Sequence, residues 1–151
     1  MARGFKSWAI NMQLLTKKMI LGVGIDSVSV GRIEKLIKQF AEKFTAKIFV
    51  EGEILKANQI KTNEIQTLFY AKRFAAKEAF SKATGLGIGR GVNFLDIEIE
   101  NDKLGKPQIK ILNGKEEFLK QHFNCKNFSI HLSLTDEHPL ASAFVIIEKI
   151  S

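Results

Sequence analysis

The chain has 151 residues, 45% of them hydrophobic, which is enough for one core but too short for two ordinary domains. Basic side chains outnumber acidic ones by 23 to 16, and the net charge of +7 favours a polyanion or an acidic protein as partner, although solubility alone would also explain it. The single cysteine, Cys125, excludes an internal disulfide and fits a reducing cytoplasm. Because no apolar run approaches the roughly 18 residues of a membrane span, we expect no membrane segment.

The amino-terminal residues are predicted to be an extension. They carry four basic side chains around a weak, interrupted apolar patch, and no cleavage-site pattern follows. We therefore assign residues 1–18 to an extension of unknown role and residues 19–151 to a single domain.

The organised pattern begins with a predicted strand over residues 20–26. Its apolar face is formed by Leu21, Val23 and Ile25. The opposite face holds Gly22, Gly24 and Asp26, and is nearly bare. Glycine weakens a strand, so these two glycines predict either the close approach of another backbone or ligand, or a bulge.

A helix is predicted next, capped by Ser27 or Ser29 and running to Phe40 with apolar residues at helical spacing. Arg32 and Lys35 then face outwards. Such a basic face is either simply solvated or the docking surface for an acidic partner.

A long helix over residues 64–84 is the clearest element, and Gly85 is its natural stop. Its apolar stripe runs through Ile65, Leu68, Phe69, Ala76, Ala79, Phe80 and Ala83. Glu78 falls away from that stripe, beside the small side chains of Ala71 and Ala75. We expect another element to approach the helix on this second surface and to enclose Glu78 partly.

The remaining segments have mixed periodicity. Residues 45–53 are predicted to be a short connection into another helix, residues 101–107 a turn between two strands, and residues 114–123 a modest helix. Residues 128–134 alternate as a half-buried strand, and residues 141–147 are predicted to be a buried final strand. This order predicts an α+β fold, with a mainly antiparallel sheet packed against the long helix.

Asp26 and Glu78 are the candidate metal ligands. Each alone has a structural explanation, since Asp26 could cap the following helix and Glu78 could pair with Lys82 one turn later. Together, beside a turn that contains Gly85 and Gly87, they are typical of a site for Mg²⁺ and a diphosphate, with turn N–H groups and lysine supplying compensating charge. The spacing of the three histidines argues against zinc, and no serine-triad motif is present.

Seven ordered motifs lie between residues 22 and 134. They are Gly22-Val23-Gly24-Ile25-Asp26, Arg32-Ile33, Arg73-Phe74-Ala75-Ala76-Lys77-Glu78-Ala79, Lys82-Ala83, Gly85-Leu86-Gly87-Ile88, Gly105-Lys106-Pro107 and His131-Leu132-Ser133-Leu134. In this order and at these separations they resemble holo-acyl-carrier-protein synthase, a 4′-phosphopantetheinyl transferase, and the region of family resemblance spans residues 19–150. The resemblance implies transfer of 4′-phosphopantetheine from coenzyme A to a serine of apo acyl carrier protein, with release of adenosine 3′,5′-bisphosphate.

The resemblance also implies roles for the acidic residues and the lysine. Asp26 and Glu78 would bind Mg²⁺ together with diphosphate oxygens, and Lys82 would bind phosphate and stabilise the leaving group. Glu78 and Lys82 are thus the candidate catalytic residues, and either Glu78 or a metal-bound water would take the serine proton. The attacking hydroxyl belongs to the carrier protein, so the enzyme needs no nucleophile of its own.

Further contacts follow from the same resemblance. Gly85, Gly87 and Arg73 are expected to bind coenzyme A, and Arg32 to meet the acidic carrier protein. Family members are typically homotrimers with active sites between subunits, and the two acids are expected from adjoining chains. The alternative function is a non-enzymatic basic module that binds nucleic acid, but the chain lacks an aromatic-and-basic recognition motif, so we expect no nucleic-acid partner.

Overall fold

The computed structural model describes residues 18–150, which form an α+β fold with two antiparallel sheets around one long helix. The elements in chain order are β1 (Met19–Ser29), α1 (Val30–Phe40), α2 (Glu42–Ile48), α3 (Glu51–Asn58), α4 (Asn63–Thr84), a 3-10 turn (Phe94–Asp96), β2 (Ile97–Asn101), β3 (Pro107–Ile111), α5 (Lys115–His122), β4 (Asn127–Glu137) and β5 (Leu140–Ile150). The predicted fold class is confirmed. Apart from Lys18, the predicted extension lies outside the described residues.

The larger sheet has the strand order β1-β5-β4, so the last strand of the chain lies in its centre. The inner face of β5 is buried and carries Ala141, Ala143, Val145 and Ile147. The outer face is not covered, since Phe144 is 41% exposed and its cross-strand neighbour Ile25 is 63% exposed. The prediction of a buried final strand is therefore wrong for its outer face.

The direction in which β1 faces is the reverse of what its apolar residues alone indicate. Gly24 is buried against the helix layer, whereas Val23 and Ile25 point to the uncovered side. Close packing decides this orientation, because the glycine face is the one that allows a helix backbone to approach.

Helix α4 begins one residue before the predicted start and ends where predicted. Gly85 adopts the left-handed conformation, with φ of 76°, and its N–H donates to the Lys82 carbonyl oxygen at 3.0 Å. The sheet, α1, α3 and β2 all contact this helix, so it is buried on most sides. Ile65, in the first turn, departs from the predicted stripe because it is 58% exposed.

Two local expectations change in the structure. Residues 45–53 do not form a connection, since α2 continues to Ile48 and α3 already starts at Glu51. The cap of α1 is Ser29, whose Oγ accepts from the Arg32 N–H at 3.4 Å. Ser27 is a residue of β1 instead, and its hydroxyl lies 2.7 Å from that of Ser142.

A buried ion pair joins α4 to the second sheet. Lys77 is fully buried, and its ammonium donates to Glu53 at 2.7 Å, to the Ile48 carbonyl at 2.7 Å and to the Phe94 carbonyl at 3.2 Å. The second oxygen of Glu53 accepts from the Ile99 N–H at 3.0 Å. All three ammonium protons have acceptors, so this lysine fixes how α2, α3 and β2 sit on α4.

Candidate active site

The contact between β1 and α4 positions the candidate site. A Cβ atom on Gly24 would overlap the Ala79 carbonyl oxygen and lie 2.7 Å from the Ala83 nitrogen. A Cβ atom on Gly22 would overlap the Ala83 carbonyl oxygen. The predicted close approach of another backbone is therefore confirmed, and that backbone belongs to α4. A register shift lies between Ile20 and Gly22, but Gly24 pairs regularly with Val145.

Asp26 follows the glycines on the same face of β1 and meets Lys82 of α4. The Lys82 ammonium donates to Asp26 Oδ1 at 2.8 Å and to the Ile25 carbonyl oxygen at 3.1 Å. The side chain of Asp26 is 16% exposed and that of Lys82 is 53% exposed. Lys82 thus reaches in from the surface to cover a largely buried carboxylate.

Glu78 belongs to the same cluster. Partial burial raises the pKa of the Glu78 carboxyl above its usual range, and the nearby Asp26 raises this pKa further. Lys82 and Arg32 act in the opposite direction. Glu78 is therefore within electrostatic range of the other three side chains, and its carboxylate lies close to that of Asp26.

The structural explanations for each acid alone are wrong. Asp26 does not cap α1, because Ser29 does. Lys82 gives its ion pair to Asp26 and not to Glu78 one turn earlier in its own helix. The site therefore consists of two acids, Asp26 and Glu78, and one lysine, Lys82, at the contact between β1 and α4.

The two acids lie together within a single chain. The expectation that adjoining chains each supply one acid is therefore wrong, because β1 and α4 of one chain bring both to Lys82. The small surface around Ala71 and Ala75 is also covered inside the chain, since both are fully buried. It cannot be a docking surface for a second subunit.

Asp26 and Glu78 fit a magnesium ion that also binds phosphate. Among residues 18–150, no group of three or more His, Cys, Asp or Glu side chains is arranged to hold a metal. A divalent ion here would therefore have two protein carboxylates. Mg²⁺ is commonly held by one or two carboxylates and takes its other ligands from water and substrate phosphates.

The glycine-rich turn after α4 was predicted to offer free N–H donors, but in the structure these N–H groups already have acceptors. Gly85 donates to the Lys82 carbonyl, Gly87 to the Ser81 carbonyl at 3.2 Å, and Leu86 to Thr84 Oγ1 at 3.2 Å. In the free protein the turn uses these N–H groups to close the helix, so their binding of a diphosphate stays a prediction. A ligand would meet the open space beside Gly85 and Gly87, where an added Cβ would touch nothing within 4 Å.

Arg73 is not brought to the acids. It is 5% exposed, its guanidinium lies 3.4 Å from the centre of the Phe69 ring, and it donates to Asn101 Oδ1 at 3.0 Å. Burial lowers its pKa to about 10, and Glu53, on the Lys77 side of α4, opposes that shift. Binding of coenzyme A by Arg73 therefore stays a prediction without support from the geometry of one chain.

Arg32 lies at the edge of the cluster. It is exposed in the first turn of α1. Its positive charge lies close enough to Glu78 to offset part of the rise in the pKa of that carboxyl. This position puts an exposed cation close to the acid pair.

Sequence reasoning missed the separate role of Lys77. It lies in the same motif as Glu78, yet its side chain turns to Glu53, and burial lowers the pKa of its ammonium while Glu53 opposes that shift. Its position four residues after Arg73 was a signal that it shares the other face of the helix. Nothing local pointed to Glu53, which lies 24 residues earlier.

Comparison with known proteins gives the same family by sequence and by structure. Residues 22–143 match the 4′-phosphopantetheinyl transferase superfamily. The chain is 44% identical over 130 residues to a holo-[acyl-carrier-protein] synthase of Pelagibacter ubique (strain HTCC1062), covering 86% of this chain and 98% of that one.

Two solved structures are similar over most of the fold. The holo-[acyl-carrier-protein] synthase of Neisseria meningitidis has a TM-score of 0.75 at 38% identity, covering 87% of this chain and all of that one. The enzyme of Bacillus anthracis str. Ames, solved in complex with CoA (3′,5′-ADP), has a TM-score of 0.71 at 39% identity, covering 87% of this chain and 98% of that one.

Proposed function

Because this chain belongs to the 4′-phosphopantetheinyl transferase superfamily, we propose that it transfers 4′-phosphopantetheine from coenzyme A to a serine of apo acyl carrier protein. The observation that carries the proposal is the meeting of Asp26, Glu78 and Lys82 between β1 and α4. This site contains two acids and a lysine but no nucleophile. It therefore suits a reaction in which the carrier protein supplies the attacking serine hydroxyl.

Magnesium is the proposed cofactor, with Asp26 and Glu78 as its protein ligands. When bound, it supplies positive charge to the diphosphate of coenzyme A, where negative charge grows as the bond breaks. Lys82 adds a second positive charge on the same side and would move to a phosphate oxygen. The open space beside Gly85 and Gly87 would accept the rest of the donor.

The chemical step is a phosphoryl transfer. The serine oxygen bonds to the phosphorus that carries pantetheine, and the bond from that phosphorus to the bridging diphosphate oxygen breaks. Adenosine 3′,5′-bisphosphate leaves with the bridging oxygen and its electron pair. The serine proton goes to the Glu78 carboxylate or to a water.

The partner proposed for the basic surface is the carrier protein. Arg32 stands at the rim of the acid pair, and Lys35 is exposed on the same helix. The net charge of +7 would attract an acidic carrier and raise its rate of encounter. The proposed location is the cytoplasm, where a chain whose one cysteine, Cys125, is free needs no oxidising compartment. Within residues 18–150, no helix combines the length and the apolar character needed to cross a membrane.

A homotrimer is the proposed assembly. The uncovered outer face of the larger sheet supports self-association, because Val23 is 52% exposed, Ile25 63% and Phe144 41%. A contiguous apolar face of this kind is typical of an interface between proteins. Sedimentation equilibrium tests this proposal, and a mass of one chain at micromolar concentration would contradict it.

The transfer assay tests the function directly. The purified chain is incubated with coenzyme A, Mg²⁺ and apo acyl carrier protein, and the carrier is examined by mass spectrometry for the phosphopantetheine adduct. We expect the adduct with the native chain, a loss of at least about 100-fold in rate for Asp26→Asn and Glu78→Gln, and an unchanged rate for Glu64→Gln, an exposed acid of the same helix. Absence of the adduct with the native chain contradicts the proposal.

A further inference from the structure

Lys82 holds the carboxylate that a divalent ion would need. Its ammonium lies 2.8 Å from Asp26 Oδ1, and the Ile25 carbonyl oxygen, at 3.1 Å, gives the lysine a second acceptor on β1. Direct coordination of a cation by the same carboxylate oxygen would bring two positive charges into contact. The ion pair seen here and a metal-bound Asp26 are therefore competing states.

The ion pair also explains how two acids remain close together without a metal. Asp26 is close enough to Glu78 for their charges to interact, and the Lys82 ammonium lies 2.8 Å from Asp26 Oδ1. The lysine thus supplies a positive charge that offsets the repulsion between the two acids and holds the Asp26 side chain in place. It is 53% exposed, and an exposed pair of this kind is weak enough to be broken by a ligand.

We propose that Lys82 acts as a stand-in cation, which occupies Asp26 in the free protein and weakens divalent-metal binding until the diphosphate of coenzyme A takes the ammonium over. This inference rests on the proposed function, because it needs both a metal and a diphosphate at this site. Its consequence is cooperative binding, in which coenzyme A tightens the metal and, by reciprocity, the metal tightens coenzyme A to the same degree.

The test measures metal binding rather than turnover. Mn²⁺, which also prefers oxygen ligands, is titrated into the metal-free protein with and without coenzyme A, and free Mn²⁺ is followed by electron paramagnetic resonance. The native chain should bind Mn²⁺ weakly alone and about tenfold more tightly with saturating coenzyme A, a typical coupling between two sites. Lys82→Gln should bind Mn²⁺ alone about fivefold more tightly than the native chain, since breaking an exposed pair corresponds to about that factor.

The same variant should lose most of the coenzyme A effect on Mn²⁺ affinity. Lys72→Gln is the matched control, because Lys72 lies on the same helix and pairs with another acid, Asp136, at 3.2 Å. It should behave as the native chain. Lys82→Met, also checked for folding by circular dichroism, provides a second neutral side chain of similar length.

The outcomes separate this inference from the function. Two results would overturn the stand-in role even if the transfer assay succeeds. The first is that Lys82→Gln and the native chain bind Mn²⁺ equally tightly without coenzyme A. The second is that coenzyme A tightens Mn²⁺ binding to Lys82→Gln as much as it does to the native chain. Failure of the native chain to bind Mn²⁺ even with coenzyme A overturns both the inference and the assignment of the metal ligands. Normal coupling without carrier modification overturns the transferase proposal alone.

Discussion

Lys77 and Glu78 are neighbours in α4, yet they lie in opposite environments. Lys77 is fully buried and has three oxygen acceptors, one of them the carboxylate of Glu53. Glu78 is half-buried beside another acid, and burial and that acid both raise its pKa. The first residue is completely satisfied by its own chain, whereas the second is held in an unfavourable arrangement.

This difference separates structure from function along one helix. A buried charge persists only when its surroundings satisfy it, so the Lys77 side holds the second sheet onto α4. Two like charges held together are a cost in the free protein that a ligand can relieve, so the Glu78 side is where a cation fits. Four experiments test this contrast, in order of expected effect.

Lys77→Met tests the structural side and should have the largest effect. Losing the ammonium leaves the buried Glu53 carboxylate without its cation, which should lower the free energy of unfolding by about 3 to 5 kcal/mol in urea titrations. Lys72→Met is the control, and its partly exposed pair with Asp136 should cost about 1 kcal/mol or less. Equal losses for the two variants would remove the distinction drawn for Lys77.

Gly24→Ala tests the contact that carries Asp26 to α4. The added Cβ would overlap the Ala79 carbonyl oxygen, so β1 must move away from the helix. We expect a loss of about 1 to 3 kcal/mol in stability, together with slower transfer. Gly31→Ala, where the Cβ would meet only Ser29 Oγ at 3.8 Å, should be neutral or slightly stabilising. A harmless Gly24→Ala would show that the close approach is not needed.

Arg32→Gln tests the rim of the site. If Arg32 meets the acidic carrier, KM for apo acyl carrier protein should rise about tenfold, as for the loss of a charged contact, with a much smaller change in kcat. Lys110→Gln, an exposed lysine of β3, serves as the control. A fall in kcat at unchanged KM would instead assign Arg32 to the electrostatics of Glu78.

Glu78→Gln should have the smallest effect on stability, and the sign is opposite to that of Lys77→Met. The folded-state pKa of Glu78 lies above its ordinary value of 4.5, so the folded protein holds this proton more tightly than the unfolded chain does. The cost of the ionised carboxylate is present above the folded-state pKa and disappears as the pH falls through 4.5.

When both proteins are free of metal, Glu78→Gln should therefore melt about 1 to 3 °C higher than the native chain at pH 7. That gain should shrink towards pH 4, as measured by thermal unfolding in a chelator. Glu64→Gln, an exposed acid in the first turn of α4, is the control. A lower melting temperature for Glu78→Gln at pH 7 would show that the free protein is stabilised by this carboxylate.

Periodicity predicted the elements whose patterns are local. The long helix to Thr84, its stop at Gly85 and the alternation of the strand around Leu132 all agree with the structure. The pairing of Asp26 with Glu78 was predicted from the glycine-rich segments beside them, since neither acid was persuasive alone, and the resemblance to a family then assigned their roles. The close approach at Gly24 was predicted from its lack of a side chain, but not that α4 would be the partner.

Other features could not be predicted because they depend on residues distant in sequence. The cation of Lys77 is neutralised by Glu53, and the free N–H groups expected at Gly87 are used by carbonyls of the preceding helix. The alternation in β1 did not by itself decide which face meets the core, and Val23 points outwards because the glycine face packs on α4.

The amino-acid sequence by itself determined the α+β class, the long helix, the order of the motifs and hence the family, because hydrophobic period and residue spacing are properties of the chain alone. The tertiary structure decided which charges are satisfied and which are left for a ligand. It brings Lys82 to Asp26 across 56 residues of sequence and turns Lys77 away to Glu53. The physical reason is that the environment of a charge depends on burial and on partners in space, and both arise only when β1 packs on α4.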